Sequence, residues 1–306
     1  MKKKILAIQG SSLKKINIRT DTSFFLGVEA QKRNFDIYYY EPKDLSFVNG
    51  KIIARCANVK FKYNSKKPIK ILKSSTLNLI KAKLLLIRNE PPFNQQFINT
   101  TFILEHISKK IKIINDPKAL REVPEKLFSL HLIKFMPNTL ISEDLREIKK
   151  FVNKNKKVII KPIESYSGND VRLLNKFNRA QVVRHIKKYR HLMFQKFIPQ
   201  ISKGDKRVFI INGKVKGAIS RLPKKGSILS NMSKGASAKK IKITNQELQI
   251  SKFVASELKK KNIYFAGIDF IKGKLIGDIN VTSPTGLKTY YDLTKINLAE
   301  YFFDNI

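Results

Sequence analysis

Short apolar runs bounded by turn residues alternate with longer segments in which apolar positions recur every three to four residues. Residues 4–9 read as a buried first strand. Residues 21–33 read as a helix with Asp21 or a threonine at its cap and Phe24, Phe25 and Val28 turned inward. A strand follows at 35–40, another at 84–88, a helix at 93–109 and a strand at 111–115, just before the helix start Asp116-Pro117. Alternating strands and helices predict a doubly wound parallel sheet, an α/β domain over residues 1–118, with ligands expected at the carboxyl ends of its strands.

Beyond residue 118 the pattern changes. Residues 157–161 form a strand stopped by Pro162, 177–189 a helix and 191–197 a strand. Residues 205–211 and 214–221 flank Asn212-Gly213, a strong hairpin signal. Thr244-Asn245-Gln246-Glu247 is a capping box that opens a helix running to about Lys261. Residues 264–271 and 274–281 flank Lys272-Gly273 as a second hairpin. Hairpins with crossing helices predict an α+β domain over residues 119–306, and no internal repeat is visible.

The second hairpin carries candidate chemistry. With Lys272 and Gly273 as its turn, Asp269 is expected opposite Ile276, and period-two alternation brings Asp278 and Asn280 to the same face. Three hard oxygen ligands on rigid strands suit Mg²⁺ bridging nucleotide phosphates. The plainer reading is the solvated face of an ordinary hairpin, and spacing by itself leaves both open.

Composition adds limits. The 306 residues, 42% hydrophobic and 10% aromatic, suffice for one large core or several that share interfaces. The basic start Met1 to Lys4 precedes an apolar stretch that ends at Gln9-Gly10, too short for an export signal. No apolar run approaches the roughly 18 residues of a membrane helix, so the expected location is cytoplasmic. The lone Cys56 excludes an internal disulfide and a cysteine-based zinc cluster. The formal charge of +39 is the size found in nucleic-acid binders, but the lysines lie in scattered pairs such as Lys66-Lys67 and Lys239-Lys240 rather than in one block. An AT-rich coding bias accounts for that scatter. The four histidines read as structural or exposed.

Five segments resemble, in order and spacing, bacterial glutathione synthetases of the ATP-grasp superfamily. They are residues 17–24, 88–93 (Arg88-Asn89-Glu90-Pro91-Pro92-Phe93), 125–128 (Glu125-Lys126-Leu127-Phe128), 204–208 and 279–285. The resemblance implies an N-terminal domain (1–118) and an ATP-grasp domain (119–306), the latter with a lid at about 124–199 and an antiparallel sheet at about 200–306. It implies ligation of glycine to γ-glutamylcysteine through an acyl phosphate, with ATP and Mg²⁺ or Mn²⁺ as cofactors, in a homo-oligomer. Position by position, it implies that Lys126 and Lys161 hold phosphates, and that Gln195, Lys196, Phe197 and Ile198 grip adenine. It places Arg207, with Asp205 on the same strand face, at the transferring phosphoryl group. Asp269, Asp278 and Asn280 become metal ligands, and Arg88, Asn280, Ser283 and Thr285 substrate contacts.

The chain also departs from the family. Residues 165–169 keep only one glycine of a phosphate-cradling loop. Leu229 stands where relatives carry arginine, Lys288 replaces an arginine, and Asp278 replaces the commoner glutamate. These changes predict a slow or leaky enzyme. The competing expectations are an ATP-grasp ligase with another carboxylate and amine, and a basic nucleic-acid-binding protein on a degenerate ligase fold.

Overall fold

Because apolar runs without alternation must be covered on both faces, the first sheet is buried between layers. The computed structural model describes residues 3–306; Met1 and Lys2, part of the basic start noted above, lie outside the described residues. The first sheet comprises β1 (Lys4–Gly10), β2 (Phe35–Tyr40), β3 (Leu45–Val48), β4 (Lys51–Phe61), β5 (Ile69–Asn78), β6 (Leu84–Arg88) and β7 (Lys112–Ile114). Its centre is parallel in the order β2-β1-β6-β7. Leu84 and Leu86 of β6 enter one apolar cluster and Leu85 and Ile87 the other, which is the two-sided burial that the runs require. Helix α1 (Thr22–Lys32) is capped by Asp21, whose carboxylate accepts the Phe24 amide at 2.6 Å. Phe24 and Phe25 are buried, and Val28 packs half-buried beside them. Helices α2 (Gln95–Glu105) and α3 (Pro117–Glu122) follow.

Residues 45–78, for which the run pattern predicts no element, add an antiparallel flank in which β4 pairs with β2, β3 and β5. The sheet is therefore mixed. In β4 the buried Ile52, Ala54 and Cys56 alternate with Ile53, Arg55 and Ala57, a period-two signal of a sheet solvated on one side.

A second, antiparallel sheet of β8 (Thr139–Ser142), β9 (Val158–Pro162), β10 (Arg172–Leu174) and β11 (Leu192–Lys196) has the order β10-β9-β11-β8. With helices α4 (Leu145–Asn155) and α5 (Arg179–Tyr189) it buries a cluster of its own, including Ile148, Val152, Ile160 and Phe194. The third sheet, β12 (Asp205–Ile211), β13 (Lys214–Leu222), β14 (Ser237–Lys240), β15 (Phe265–Ile271) and β16 (Lys274–Asn280), has the order β14-β13-β12-β15-β16. Both hairpins turn on left-handed pairs, Asn212 and Gly213 at φ 49° and 69°, Lys272 and Gly273 at 47° and 73°. Helix α6 (Asn245–Lys260) opens on the capping box, and α7 (Leu287–Thr294) and α8 (Leu298–Asp304) pack back on α1.

One expectation about the second hairpin fails. Phe270 pairs with Leu275, but Ile268 pairs with Ile279, so β16 carries two extra residues and Asp269 does not face Ile276. Gly277, at φ 81°, lies in this bulge. An insertion of two leaves the side-chain parity unchanged, so Asp278 and Asn280 stay on the face of Asp269.

Candidate active site

The third sheet lays a row of charges across its strands. Arg221 of β13 is directly opposite Asp205 of β12, and Arg207 of β12 is directly opposite Asp269 of β15. Arg207 donates from Nε and Nη2 to the two Asp269 oxygens at 2.8 and 2.7 Å. Arg221 grips Asp205 in the same two-pronged way and reaches Asp269 Oδ2 at 2.9 Å. Ser230 adds a hydroxyl to Asp205 at 2.5 Å. All four charged groups are buried. Burial by itself would raise the Asp269 pKa, but Arg207 and Arg221 outweigh it and hold the carboxyl well below the usual range. Arg221 is raised against the opposing effect of burial by Asp205 and Asp269. Asp205 and Arg207 share a face as expected, yet they do not form the surface ion pair that is the bland alternative, since each is paired with a partner on another strand.

Two lysines approach from the side of the second sheet. Lys161, at the end of β9, donates to Ile276 O at 2.6 Å and reaches Asp278 Oδ2 at 3.3 Å. Lys126 donates to Ile163 O at 3.3 Å and to Ser165 O, with Asp278 Oδ1 at 3.9 Å. Asp278 thus lies between two buried ammonium groups, which supply the positive charge that a polyphosphate needs. Asn280 donates its amide to Gly267 O at 3.0 Å and to Asp269 Oδ2 at 3.4 Å. The expected ligands Asp269, Asp278 and Asn280 therefore converge on one end of the hairpin. Among the described residues no group of three His, Cys, Asp or Glu side chains could hold a metal alone. Two carboxylates and an amide oxygen instead fit a hard divalent cation that takes its remaining oxygens from bound phosphates.

These groups line one cleft of about 430 Å³ between the second and third sheets and the first domain, within the range of small-molecule sites. Its apolar end is made by Ile159, Phe197, Ile198 and Ile276. Gln195 is buried and bonded to Thr139, while the amides of Lys196 and Phe197 are taken by Asn138 O and Lys157 O. Those two N–H groups are therefore committed to the sheet, and the expected reading of a ring edge falls to other backbone groups of residues 195–198. Above the cleft, residues 165–170 meet residues 229–234. A Cβ on Gly168, at φ 71°, would fall 2.7 Å from Asn231 Oδ1 and 3.0 Å from Leu229 Cδ2, and Lys234 bonds Asn169 at 2.8 Å.

Three expected substrate residues sit differently. Arg88 is 5% exposed and is not part of the cleft wall; it donates to Ser23 Oγ at 3.1 Å and to Pro284 O at 2.8 Å. Burial lowers its pKa to about 10. Ser283 lines the cleft but donates to Arg88 O at 3.1 Å. Thr285 is exposed in the cleft wall, within 3.4 Å of Arg207 Nη1. Lys288 pairs with Asp292 and lies 5.2 Å from the Tyr63 ring centre. The sequence reading missed Arg221 and Glu125. Arg221 is not reached by counting back from the Asn212-Gly213 turn, which puts Ser220 opposite Asp205; an irregularity between Phe209 and Ile210 shifts the register by one and makes Arg221 the partner. Glu125 stands in the 125–128 segment, but nothing local gives its partner: it accepts from Thr282 Oγ1 at 2.8 Å across 157 residues, and burial raises its pKa.

Comparison with known proteins gives concordant matches. The family model of the prokaryotic glutathione synthetase N-terminal domain matches residues 5–121, and that of its ATP-grasp domain matches residues 125–295. A glutathione synthetase of Bradyrhizobium diazoefficiens is 34% identical, covering 98% of this chain and 97% of that one. One from Wigglesworthia glossinidia brevipalpis is 34% identical over 98% and 96%. Among solved structures, the D-cycloserine synthetase DcsG has a TM-score of 0.67 at 12% identity, covering 98% of this chain and 99% of that chain. The D-alanyl-alanine synthetase A of Vibrio cholerae has a TM-score of 0.62 at 13% identity over 99% and 97%. At such identities these two show likeness of fold alone.

Proposed function

The chain belongs to the prokaryotic glutathione synthetase family, and from that premise we infer how its cleft joins glycine to γ-glutamylcysteine at the expense of ATP. The protein is an ATP-dependent ligase that uses a divalent metal; Mg²⁺ is the proposed ion, since the donors are all hard oxygens. The observation that carries the assignment of roles is the meeting of Lys126 and Lys161 on Asp278, one strand away from the Arg207–Asp269 pair.

In the proposed arrangement the adenine lies against Phe197 and Ile198, and the ammonium groups of Lys126 and Lys161 meet phosphate oxygens. Arg207, with Asp205 and Arg221 fixing its row, faces the transferring phosphoryl group and offsets charge gathering on its equatorial oxygens. A metal ion held by Asp269, Asp278 and Asn280 would neutralise phosphate charge when bound. The dipeptide carboxylate takes the γ-phosphoryl group as an acyl phosphate and ADP leaves; the glycine amine then forms the C–N bond while the C–O bond to phosphate breaks. Ser283 and Thr285 contact the dipeptide directly, whereas Arg88 acts by holding the segment that presents them. Closure of residues 165–170 on 229–234 excludes water from the acyl phosphate.

A cytoplasmic setting is proposed with this activity, in keeping with a thiol substrate. No helix among the described residues is long and apolar enough to cross a membrane. A homo-oligomer is also proposed, with the ten-residue strand β5, which among the described residues pairs only with β4, as its simplest docking edge. The functional test is ADP release with γ-glutamylcysteine, with and without glycine, together with detection of glutathione. Release that requires both substrates and matches glutathione formed supports the reading; release indifferent to both, or salt-sensitive nucleic-acid binding alone, defeats it.

A further inference from the structure

Asn115 lies in the first domain, directly after β7, yet its side chain is buried at the third sheet. Its Nδ2 donates to Phe265 O and to Val281 O, each at 2.7 Å. Its Oδ1 accepts from Tyr264 N at 2.9 Å and from Phe265 N at 2.8 Å. All the hydrogen-bonding capacity an amide commonly uses is filled, and the division into two carbonyl and two N–H partners fixes its orientation. Phe265 begins β15, and Val281 is the first residue after β16. The last backbone rung of that ladder is Gly267 with Asn280. Asn115 therefore serves as the next rung, a side chain standing in for backbone where the two strands part.

Its location has a chemical consequence. Asn280, one residue before Val281, is a proposed metal ligand, and Thr282 to Thr285 form the proposed substrate wall. Neighbouring ties also come from outside the third sheet: Glu125 holds Thr282, and Arg88 holds Pro284. Of these ties, Asn115 is the one that grips both strands of the hairpin, so it sets their separation at the end where metal and dipeptide meet.

We propose that Asn115 is a positioning residue, which transmits the placement of the first domain to the metal-binding hairpin and holds Asn280 in register with the dipeptide. The proposal rests on the ligase reading above. Outer groups that orient metal ligands commonly change affinity or activity by about 10- to 100-fold when removed. In the full chain, Asn115→Ala is expected to lower kcat and to weaken Mn²⁺ binding in the presence of ADP by about tenfold each. ADP affinity in EDTA, which depends on the lysines and the apolar end of the cleft, should stay within about twofold of wild type. Asn115→Asp keeps the two accepted bonds but sets an oxygen against Phe265 O and Val281 O, and is expected to do the same despite its unchanged size. If Asn115→Ala does not fold, Asn115→Ser, whose hydroxyl stands where the amide carbon was and stops one bond short of the four partners, carries the comparison. Lower melting temperatures with unchanged Mn²⁺ affinity and unchanged kcat would reduce Asn115 to a structural pin and overturn the proposal. A wild-type protein that ligates while the variants match it refutes this inference alone; a wild-type protein that does not ligate refutes the functional reading as well.

Discussion

Asp278 stands between Lys126 and Lys161, and that position separates its two effects. Asp278→Ala and Asn280→Ala are each expected to abolish ligation; Asn280→Ala should keep a melting temperature near that of wild type, whereas Asp278→Ala should lower it, because it leaves the buried Lys126 and Lys161 without their carboxylate. Asp278→Ala should nevertheless bind ADP in EDTA at least as well, since two ammonium groups lose their carboxylate and phosphate replaces it. Glutathione formation by either variant at saturating Mg²⁺ removes the metal assignment. Arg221 is a different case. Arg221→Met leaves Asp205 buried without its guanidinium, and removing one partner of a buried pair costs about 3–5 kcal/mol; denaturant titration reads this directly. The effect on acid stability follows from the lowered Asp269 pKa. A carboxylate held low in the folded state contributes stability that is fully present above its unfolded pKa of about 4 and is lost as pH falls through the folded value. Asp269 should therefore contribute fully above about pH 4 and progressively less as the pH falls toward its lowered value, while Asp205, raised by burial, works in the opposite sense; Arg221→Met removes a cation that holds Asp269 low and should unfold at a higher pH. Coincident acid-unfolding midpoints would contradict the buried row.

At the scale of elements, two glycines sit where an added Cβ would crowd the site. Gly277 permits the bulge that inserts two residues into β16, and a Cβ there would lie 3.0 Å from Met136 Cε and 3.3 Å from Met193 Sδ. With a left-handed φ as well, Gly277→Ala should destabilise the chain by about 1–2 kcal/mol. It should also raise the Mg²⁺ requirement, because Asp278 is the next residue. A variant with normal metal dependence shows that the bulge does not aim Asp278. Beside the cleft, Leu229 packs on Gly168, and Lys234 bonds Asn169 nearby. The two loops thus meet through apolar contact as well as a polar bond. Gly168→Ala would drive a methyl into Asn231 and Leu229. It is expected to lower kcat and increase ADP released per glutathione formed, whereas unchanged coupling would mean that these loops do not guard the acyl phosphate.

For the whole molecule the dominant quantity is the charge of +39. Self-repulsion of that size destabilises the compact state, and salt screens it over a Debye length of about 10 Å at 0.1 M. The melting temperature should therefore rise with NaCl up to about 0.2 M, while the KM for ATP rises as well, because the same field draws the nucleotide in. A KM independent of salt would show that the cleft lysines, rather than the general field, govern capture. The C-terminal helices close the molecule by packing on α1, where Arg33 meets Asp304 at 2.7 Å and Asn297 meets Glu29 at 3.1 Å.

What the sequence determined by itself was local. Apolar runs marked the strands of the parallel centre, Asn212-Gly213 and Lys272-Gly273 marked both hairpins, and Asp21 and Thr244 marked helix starts, because caps and turns are chosen by residues within a few positions. Lys126 and Arg207 were named from segments whose spacing the chain preserves, Lys161 from its position at a strand end, and Asp269, Asp278 and Asn280 from the alternation of the second hairpin. Only the tertiary structure decided who pairs with whom across long separations. The Asp205–Arg221 and Arg207–Asp269 pairs, the withdrawal of Arg88 behind Pro284, the grip of Glu125 on Thr282 and the Asn115 rung between β15 and β16 join residues 16 to 196 positions apart. A buried polar group must find its partner wherever folding puts one, and no local pattern encodes that partner's address.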